Sequence, residues 1–249
     1  MSDSTPNRLT GKTAIVTGGA RGIGEATVRR LAADGAQVVF SWAHSEELAN
    51  ELVREIAAAG QMVSTVKADS GNPDEIRGLF EWTESEIGPI DIVVNNGGIG
   101  WDNSIAEMPL SDFEQLIQVN LIGTFVCLQE AARRVRDYGR IITISSGHTR
   151  RISAGAGPLS ATKAGIEELT KALALEVASR RVTVNSVRPN LIESTGITPE
   201  VRENIKDLIA AVPLGGLGQT YDVANTIAFL ASDDARWITG SIIDVNGGL

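Results

Sequence analysis

The sequence predicts a doubly wound α/β fold, in which a single domain holds a seven-stranded parallel sheet with helices on both faces. Seven short runs rich in Val and Ile recur along the 249 residues, and longer segments of helical period separate them. A glycine-rich turn joins the first run to the first helical segment. No internal repeat or linker divides the chain. We therefore expect one domain over 9–249, preceded by a flexible N-terminal tail over 1–8.

The seven runs are apolar through most of their length, which is typical of strands that are covered on both faces. They comprise residues 13–17, 37–41, 62–68, 90–95, 140–145, 182–187 and 241–245. Strands of this kind that alternate with helices form right-handed β-α-β units, so their sheet is parallel.

The amphipathic segments between the runs include 25–35, 46–60 and 111–139. Each ends in a glycine (Gly35, Gly60 and Gly139), and glycine favours the left-handed residue that follows a helix. The stretch from about 189 to 219 differs, because Pro and Gly interrupt it around one short helix. Long loops of this kind often cover a site, so we expect a lid here.

Charge and composition exclude several classes of function. The chain carries 22 Lys and Arg against 31 Asp and Glu, a net charge of −9, which argues against nucleic-acid and anionic-membrane partners. The lone Cys127 excludes an internal disulfide, and together with the distant His44 and His148 it makes a metal site improbable. The polar start MSDSTPNR predicts no signal peptide, and no apolar run is long enough to span a membrane. We expect a cytoplasmic protein.

The glycine-rich segment TGGARGIG at 17–24 predicts a dinucleotide site of the Rossmann type. Gly18 permits a tight turn, Gly22 lets the backbone approach a pyrophosphate, and Gly24 allows close packing of helix on strand. The N–H groups of the following helix, around Ile23, would then bind the phosphates.

The end of the second strand favours NADP(H) over NAD(H). An NAD enzyme usually carries an acidic residue there for the ribose 2′-hydroxyl, whereas this chain reads SWAHS over 41–45. An acid would repel a 2′-phosphate. The groups expected to accept the phosphate are Arg21, Ser41, Trp42, His44 and Ser45.

Several ordered motifs resemble the short-chain dehydrogenase/reductase family, in particular its 3-oxoacyl-carrier-protein reductases, from about Leu9 to Leu249. The residues that carry the resemblance are TGGARGIG at 17–24, Asp69, NNGG at 95–98, Asn120 in QVNL, SS at 145–146, Lys163 in SATKAG and ITGSIIDVNGG at 238–248. Each motif alone is weak, whereas all of them in order at family spacing are specific.

The resemblance implies three catalytic residues. Asn120 would kink its helix and hold a relay water, Ser146 would bond the substrate carbonyl, and Lys163 would bind the nicotinamide ribose and depress the pKa of a catalytic tyrosine. Asp69 would meet the adenine. Further cofactor contacts are expected from Ser70, Asn96, Gly97, Gly98, Pro189, Ile192 and Ser194. The resemblance also implies a homotetramer or homodimer, paired through helices over 111–137 and 159–179, that acts on a small carbonyl or alcohol substrate.

The chain departs from the family at the catalytic tyrosine. Counting four residues back from Lys163 and thirteen forward from Ser146 both lead to Leu159. Tyr138 precedes the fifth strand and therefore lies at the wrong end of the sheet, and Tyr221 starts a late helix. His148 is the one titratable substitute nearby. A second departure is Asn190, where the family has Gly, and Asn tolerates a left-handed conformation.

The leading hypothesis is an NADP(H)-dependent scaffold for carbonyl reduction or alcohol oxidation that is impaired because Leu159 cannot donate a proton. A 3-oxoacyl thioester, or a polyketide-like or alicyclic ketone, is the substrate suggested by family analogy. Arg150 and Arg151 either meet an acidic group of the substrate or form a solvated pair, and Trp101 should help to shape the pocket. Three explanations of Leu159 stay open: an engineered exchange, a natural non-redox enzyme for isomerisation, cyclisation or elimination, and an NADP-binding pseudoenzyme.

Overall fold

The computed structural model describes residues 8–100, 103–193 and 198–249. Seven parallel strands form one sheet in the order β3-β2-β1-β4-β5-β6-β7, which confirms the predicted sheet. The strands are β1 Thr13–Val16, β2 Gln37–Trp42, β3 Val63–Lys67, β4 Ile92–Asn95, β5 Arg140–Ile144, β6 Thr183–Pro189 and β7 Ile242–Val245. The strand order reverses between β1 and β4, and a ligand of such a sheet binds beyond the carboxyl ends of the strands at that point.

Nine α-helices flank the sheet in the described residues. They are α1 Gly22–Ala33, α2 Glu46–Ala58, α3 Pro73–Glu86, α4 Leu110–Leu116, α5 Gly123–Arg134, α6 Gly157–Glu176, α7 Pro199–Asn204, α8 Lys206–Ala210 and α9 Thr220–Ala231. A π-helical turn, Ile117–Ile122, joins α4 to α5. None of the helices in the described part of the chain is long and apolar enough to cross a bilayer.

Alternate residues of each central strand enter two separate cores. Ala14 and Val16 of β1 belong to the cluster that packs against α1, α2 and α9, together with Phe40. Ile15 belongs to the opposite cluster, which includes Phe80 of α3 and residues of α5 and α6. Both faces of the sheet are therefore buried, and this explains why the strand sequences are apolar throughout rather than alternating.

Two of the three predicted helix ends are correct. Gly35 and Gly60 take positive φ angles of 94° and 75° directly after the caps of α1 and α2. The third is wrong, because α5 ends at Arg134 and the left-handed residue beyond it is Tyr138, with φ 66°. Gly139 serves packing instead: a Cβ there would lie 2.1 Å from Val135 Cγ1.

The lid segment also differs from its prediction, since it contains two short helices, α7 and α8, rather than one. Residues 194–197 of this segment, and residues 1–7 of the expected tail, lie outside the described residues.

A buried carboxylate ties the amino-terminal edge of the sheet together. Asp91, only 4% exposed, precedes β4, and its Oδ2 accepts a hydrogen bond of 2.8 Å from the N–H of Thr13. Its carbonyl accepts from Arg140 N at 2.9 Å, and Arg136 Nε donates to Oδ1 at 3.1 Å. One residue therefore joins β1, β4 and β5.

Replacing this carboxylate should destabilise the protein. Asp91→Ala leaves the buried N–H of Thr13 without an acceptor, so we expect the free energy of unfolding to fall by about 2–3 kcal/mol in urea titrations. Asp137→Ala is the matched control, because Asp137 is 66% exposed in its pair with Arg180 and should cost under about 1 kcal/mol. Equal losses in the two variants would contradict the role given to Asp91.

Candidate functional site

The turn between β1 and α1 has the backbone of a phosphate cradle. Gly18 and Gly22 have φ angles of 64° and 59°, a region that other residues rarely adopt. A Cβ at Gly24 would lie 2.2 Å from the carbonyl oxygen of Gly18, so only glycine lets α1 approach the turn this closely. A Cβ at Gly22 would meet no atom within 4 Å, so the backbone there faces open space. Ile23 lies in the first turn of α1, whose free N–H groups favour an anion.

Asn96 and Thr17 lock this turn to the end of β4. Asn96 Nδ2 donates to the carbonyls of Thr17 and Gly18, both at 3.0 Å. Thr17 Oγ1 accepts from the N–H groups of Asn96 and Gly97, at 3.0 and 2.9 Å. A Cβ at Gly97 would lie 2.0 Å from Ser70 Oγ, which explains a glycine at this position.

The structure gives Ser41 a different place from the one expected. Its side chain is fully buried, and its Oγ accepts from Gly18 N at 3.2 Å. Because that hydroxyl lies inside the protein beneath the turn, Ser41 supports the cradle rather than facing a 2′-phosphate.

The neighbouring predicted groups are accessible. Arg21 and His44 are exposed, Ser45 is half-buried at the start of α2, and the Arg21 side chain has no partner among the described residues. Trp42 is half-buried, and its indole N–H is buried without a hydrogen-bond partner in the described part of the chain.

Sequence reasoning missed Lys67, whose ammonium lies 5.8 Å from the centre of the Trp42 ring. The two residues face each other because β2 and β3 pair in parallel with Trp42 opposite Lys67. This pairing depends on the register of the two strands. The sequence alone does not give that register, so no signal in it could have identified Lys67.

Asp69 follows β3, as predicted, but one of its oxygens is already used. Oδ1 accepts from Gly71 N at 2.8 Å, and the N–H of Asp69 donates to Glu75 Oε2 at 2.8 Å. The second oxygen of this half-buried carboxylate, Oδ2, accepts no hydrogen bond from the described residues.

The expected kink at Asn120 is the π-helical turn between α4 and α5. Asn120 is fully buried, its Oδ1 accepts from Ile99 N, and its Nδ2 donates to Ile99 O, both at 2.9 Å. A third contact of 3.3 Å reaches Thr162 Oγ1 on α6. The amide therefore joins the segment after β4 to α6.

Leu159 and Lys163 lie one turn apart on the same side of α6. Lys163 Nζ donates to the carbonyl of Ile144 at 2.9 Å and would lie 3.5 Å from a Cβ at Gly98. Burial lowers the pKa of Lys163 to about 8. Half-buried Leu159 lies 3.7 Å from a Cβ placed on Gly100.

Neither tyrosine bonds the ammonium group of Lys163, which donates to the carbonyl of Ile144. Tyr138 is 68% exposed in the connection that enters β5, at the opposite edge of the sheet, and Tyr221 is exposed on the first turn of α9.

Ser146 follows β5 in an extended conformation, and its Oγ accepts from His148 N at 3.4 Å. The His148 ring is half-buried, with Nδ1 3.5 Å from Ser153 Oγ. Arg150 pairs with Asp244 at 2.5 Å, so it is held by a carboxylate of the protein itself, whereas Arg151 is exposed.

The start of the lid differs in detail from expectation. Pro189 ends β6, and Ile192 forms an isolated bridge with Gly218. The left-handed residue is Leu191, with φ 49°, rather than Asn190, whose N–H bonds Val245 O at 3.1 Å. Ser194 and Trp101 lie outside the described residues.

Two larger cavities flank the sheet. One of about 520 Å³ lies by the lid, between the ends of β6 and β7. One of about 1140 Å³ lies near Arg140 and Trp237, at the amino-terminal edge of the strands, away from Ser146 and Lys163. Across residues 8–100, 103–193 and 198–249, no cluster of His, Cys, Asp or Glu could hold a metal ion.

Comparisons with known proteins agree with this geometry. A family model described as enoyl-(acyl carrier protein) reductase matches residues 18–249. The 3-oxoacyl-[acyl-carrier-protein] reductase FabG of Staphylococcus aureus is 39% identical over 241 residues, covering 96% of this chain and 98% of its own. The corresponding reductase of Synechocystis is 40% identical over 244 residues, covering 97% and 98%.

Solved structures are similarly close. A blue fluorescent protein from a metagenomic library, in complex with NADPH, superposes with a TM-score of 0.92 at 38% identity, covering 97% of this chain and 98% of that one. A short-chain dehydrogenase of Burkholderia cenocepacia, in complex with NADP, has a TM-score of 0.92 at 34% identity with the same coverage.

The buried ammonium group should make stability depend on pH. Folded Lys163 releases its proton near pH 8, whereas an unfolded lysine holds it to about pH 10.4. Between these values the unfolded state binds more protons, so the contribution of Lys163 to stability rises with pH, by up to about 3 kcal/mol. Lys163→Met removes this dependence.

The measurement is the free energy of unfolding of both proteins, without nucleotide, from pH 7 to pH 10. The difference between wild type and Lys163→Met should increase in favour of the wild type. Lys171→Met, which removes a lysine from the exposed side of the same helix, is the matched control for the loss of one lysine side chain. A flat difference for Lys163→Met would refute the pKa assignment.

Proposed function

We propose a function that starts from the family of this chain, which belongs to the short-chain dehydrogenase/reductase family of oxidoreductases. In this proposal the chain binds NADP(H). Its site is that of a carbonyl reductase or alcohol dehydrogenase that lacks the proton donor. The single observation that carries this proposal is the position of Leu159, one turn before Lys163 on α6. The side chain at that position is a hydrocarbon, whereas the three expected catalytic residues, Asn120, Ser146 and Lys163, are all present.

The cradle fits a dinucleotide. Its glycines leave open space at Gly22 and admit no Cβ at Gly24, as expected where a pyrophosphate lies against backbone N–H groups. Two of the similar structures are complexes, one with NADPH and one with NADP. NADPH, when bound, supplies a hydride to a carbonyl carbon.

Selection of NADP(H) is assigned to accessible groups in the turn between β1 and α1 and at the end of β2. Arg21 is an exposed cation without a partner among the described residues, and His44 and Ser45 lie at the start of α2. Lys67 adds a further cation beside Trp42. Residues 41–45 contain no acidic side chain, so no carboxylate stands at the position where an NAD enzyme usually carries one.

Removing the cation of Arg21 should therefore weaken the binding of NADPH more than the binding of NADH. We expect Arg21→Ala to raise the Kd for NADPH by about 10- to 100-fold, the loss of one charged hydrogen bond, and to change the Kd for NADH less than twofold. Nucleotide fluorescence titration measures both. Arg54→Ala, which removes an exposed arginine of α2, is the control. Equal weakening of NADPH and NADH would sink the assignment.

Each remaining residue has a defined task in the proposed site. Ser146 Oγ accepts from His148 N, so its own proton is available for a substrate carbonyl. Lys163 offers its ammonium group to the nicotinamide ribose, and Asn120 holds the Ile99 segment against α6. His148, with its ring directed at Ser153, is the weaker candidate for a substitute acid.

A missing general acid should slow carbonyl reduction rather than abolish nucleotide binding. Positioned proton transfer contributes about 10²- to 10⁴-fold in rate. We expect Leu159→Tyr to raise kcat for NADPH oxidation with a panel of 3-oxoacyl thioesters and alicyclic ketones by that factor. Leu159→Phe is the matched control, since it adds the same ring without the hydroxyl and should leave kcat at the wild-type level.

The outcome separates the candidate functions. Equal gains from Tyr and Phe would mean that pocket shape, not proton donation, limits the rate. Tight NADPH binding without oxidation in any variant would reject the reductase proposal in favour of a non-redox enzyme or an NADP-binding pseudoenzyme.

We also infer that a second copy of the chain covers part of α5 and α6. Within the segments predicted to pair two copies, 111–137 and 159–179, four apolar residues are buried in one chain (Leu116, Leu128, Ile166 and Leu173), and Val119, Leu121 and Leu169 are half-buried. Phe125 and Leu175 remain 48% and 82% exposed. The choice between homodimer and homotetramer stays a prediction, as does the cytoplasmic location.

A further inference from the structure

A buried carboxylate lies one helical turn beyond Lys163, behind the Ser146 turn. Glu167 of α6 is 8% exposed. Its Oε1 accepts from Ser145 Oγ and from Thr149 Oγ1, both at 2.6 Å. These two hydroxyl groups stand on either side of Ser146 along the chain, so one carboxylate oxygen holds both ends of the turn.

A second layer of charges holds this carboxylate. Arg188 Nη1 lies 3.5 Å from Glu167 Oε1 and 3.3 Å from Thr149 Oγ1. Arg188 also donates two hydrogen bonds to the carboxylate of Asp244, from Nε at 2.6 Å and from Nη2 at 3.2 Å. The two residues meet because they lie opposite each other where β6 pairs with β7. Arg188 holds the pKa of Asp244 below its usual range.

The network returns to the turn that contains Ser146. Asp244 also accepts from Arg150, at 2.5 Å, and Arg150 is the residue after Thr149. The turn is thus connected to α6 through Glu167 and to β6 and β7 through Arg188 and Asp244.

Ser146 itself has little to fix its side chain. Within the described part of the chain, the one hydrogen bond to its Oγ is the 3.4 Å contact from His148 N, which is near the limit for such a bond. The place of this hydroxyl therefore depends on how firmly residues 145 and 149 are held. A buried carboxylate is costly, and here its acceptor oxygen is aimed at those two residues.

We propose that Glu167 is a positioning residue, which fixes the Ser146 turn by accepting from Ser145 and Thr149, with Arg188 and Asp244 holding it from behind. The proposal rests on the role of Ser146 in the proposed function. A displacement of about 1 Å of a substrate-binding group costs about 100-fold in rate, so rigidity of this turn matters for a carbonyl held by one hydroxyl.

Hydrogen exchange of the full chain tests the turn without any need for activity. Glu167→Ala should speed exchange of the amides of Thr149 and Arg150, which bond the carbonyls of Ser146 and Gly147, by about tenfold or more. Thr149→Val should act in the same direction by a smaller factor. Glu167→Gln keeps an acceptor oxygen but loses the charge, so its exchange should lie between wild type and Glu167→Ala.

Glu168→Gln is the matched control. Glu168 is the next residue of α6, exposed and paired with Lys171, and its replacement should leave exchange in the turn unchanged. The Kd for NADPH should change less than twofold in all four variants, because none of the three replaced residues is an expected cofactor contact. Should Glu167→Ala fail to fold, Thr149→Val decides. Unchanged exchange in Thr149→Val and in any folded Glu167→Ala would overturn the proposal.

The rate is measured in the Leu159→Tyr background. There Glu167→Ala should lower kcat/KM for a ketone by about tenfold or more, with partial recovery in Glu167→Gln. If the turn loosens while kcat/KM stays constant, the positioning role is refuted. If Leu159→Tyr shows no reductase activity, the proposed function fails on its own, and the exchange result still decides whether Glu167 holds the turn.

Discussion

The site depends on hydrogen bonds between one face of α6 and the end of β5. Lys163 reaches the carbonyl of Ile144, Glu167 reaches Ser145 Oγ, and the hydroxyl of Thr170 lies 2.9 Å from that of Thr143. All six groups are buried, so water does not compete for them, and each would be costly to leave unpaired. Ser146 directly follows Ser145 in the chain, so these contacts fix the position of its backbone.

The nucleotide cradle and the catalytic face are held by separate contacts. Thr17, Ser41 and Asn96 maintain the glycine turn, whereas Asn120 and α6 organise the side chains around Lys163. Leu159 lies on the first turn of α6, one turn before Lys163. An apolar side chain is acceptable there because it leaves no buried polar atom unpaired. In the proposed function, Leu159 therefore affects proton transfer and not the fold or the cradle.

Much of the fold was predictable because burial on both faces of a parallel sheet demands continuous apolar strands, and these are visible in the sequence. Gly35 and Gly60 ended their helices as expected, since a left-handed residue favours glycine. Gly139 did not, because it is required for close packing against Val135, a contact made only after the chain has folded. Ser41 was assigned by position alone, and the sheet turned its hydroxyl inward.

The residue types and their spacing alone already predict the available chemistry: glycines where the backbone must come close, a lysine and a serine at family spacing, and Leu159 where the family pattern predicts a phenol. Those features are local, since they depend on residue type and on the number of residues between them. Folding alone places the ammonium of Lys67 over the Trp42 ring. It also brings Glu167, Arg188 and Asp244 together behind Ser146. These residues come from different strands and helices, so their contacts arise from sheet register and helix packing, which no local pattern encodes.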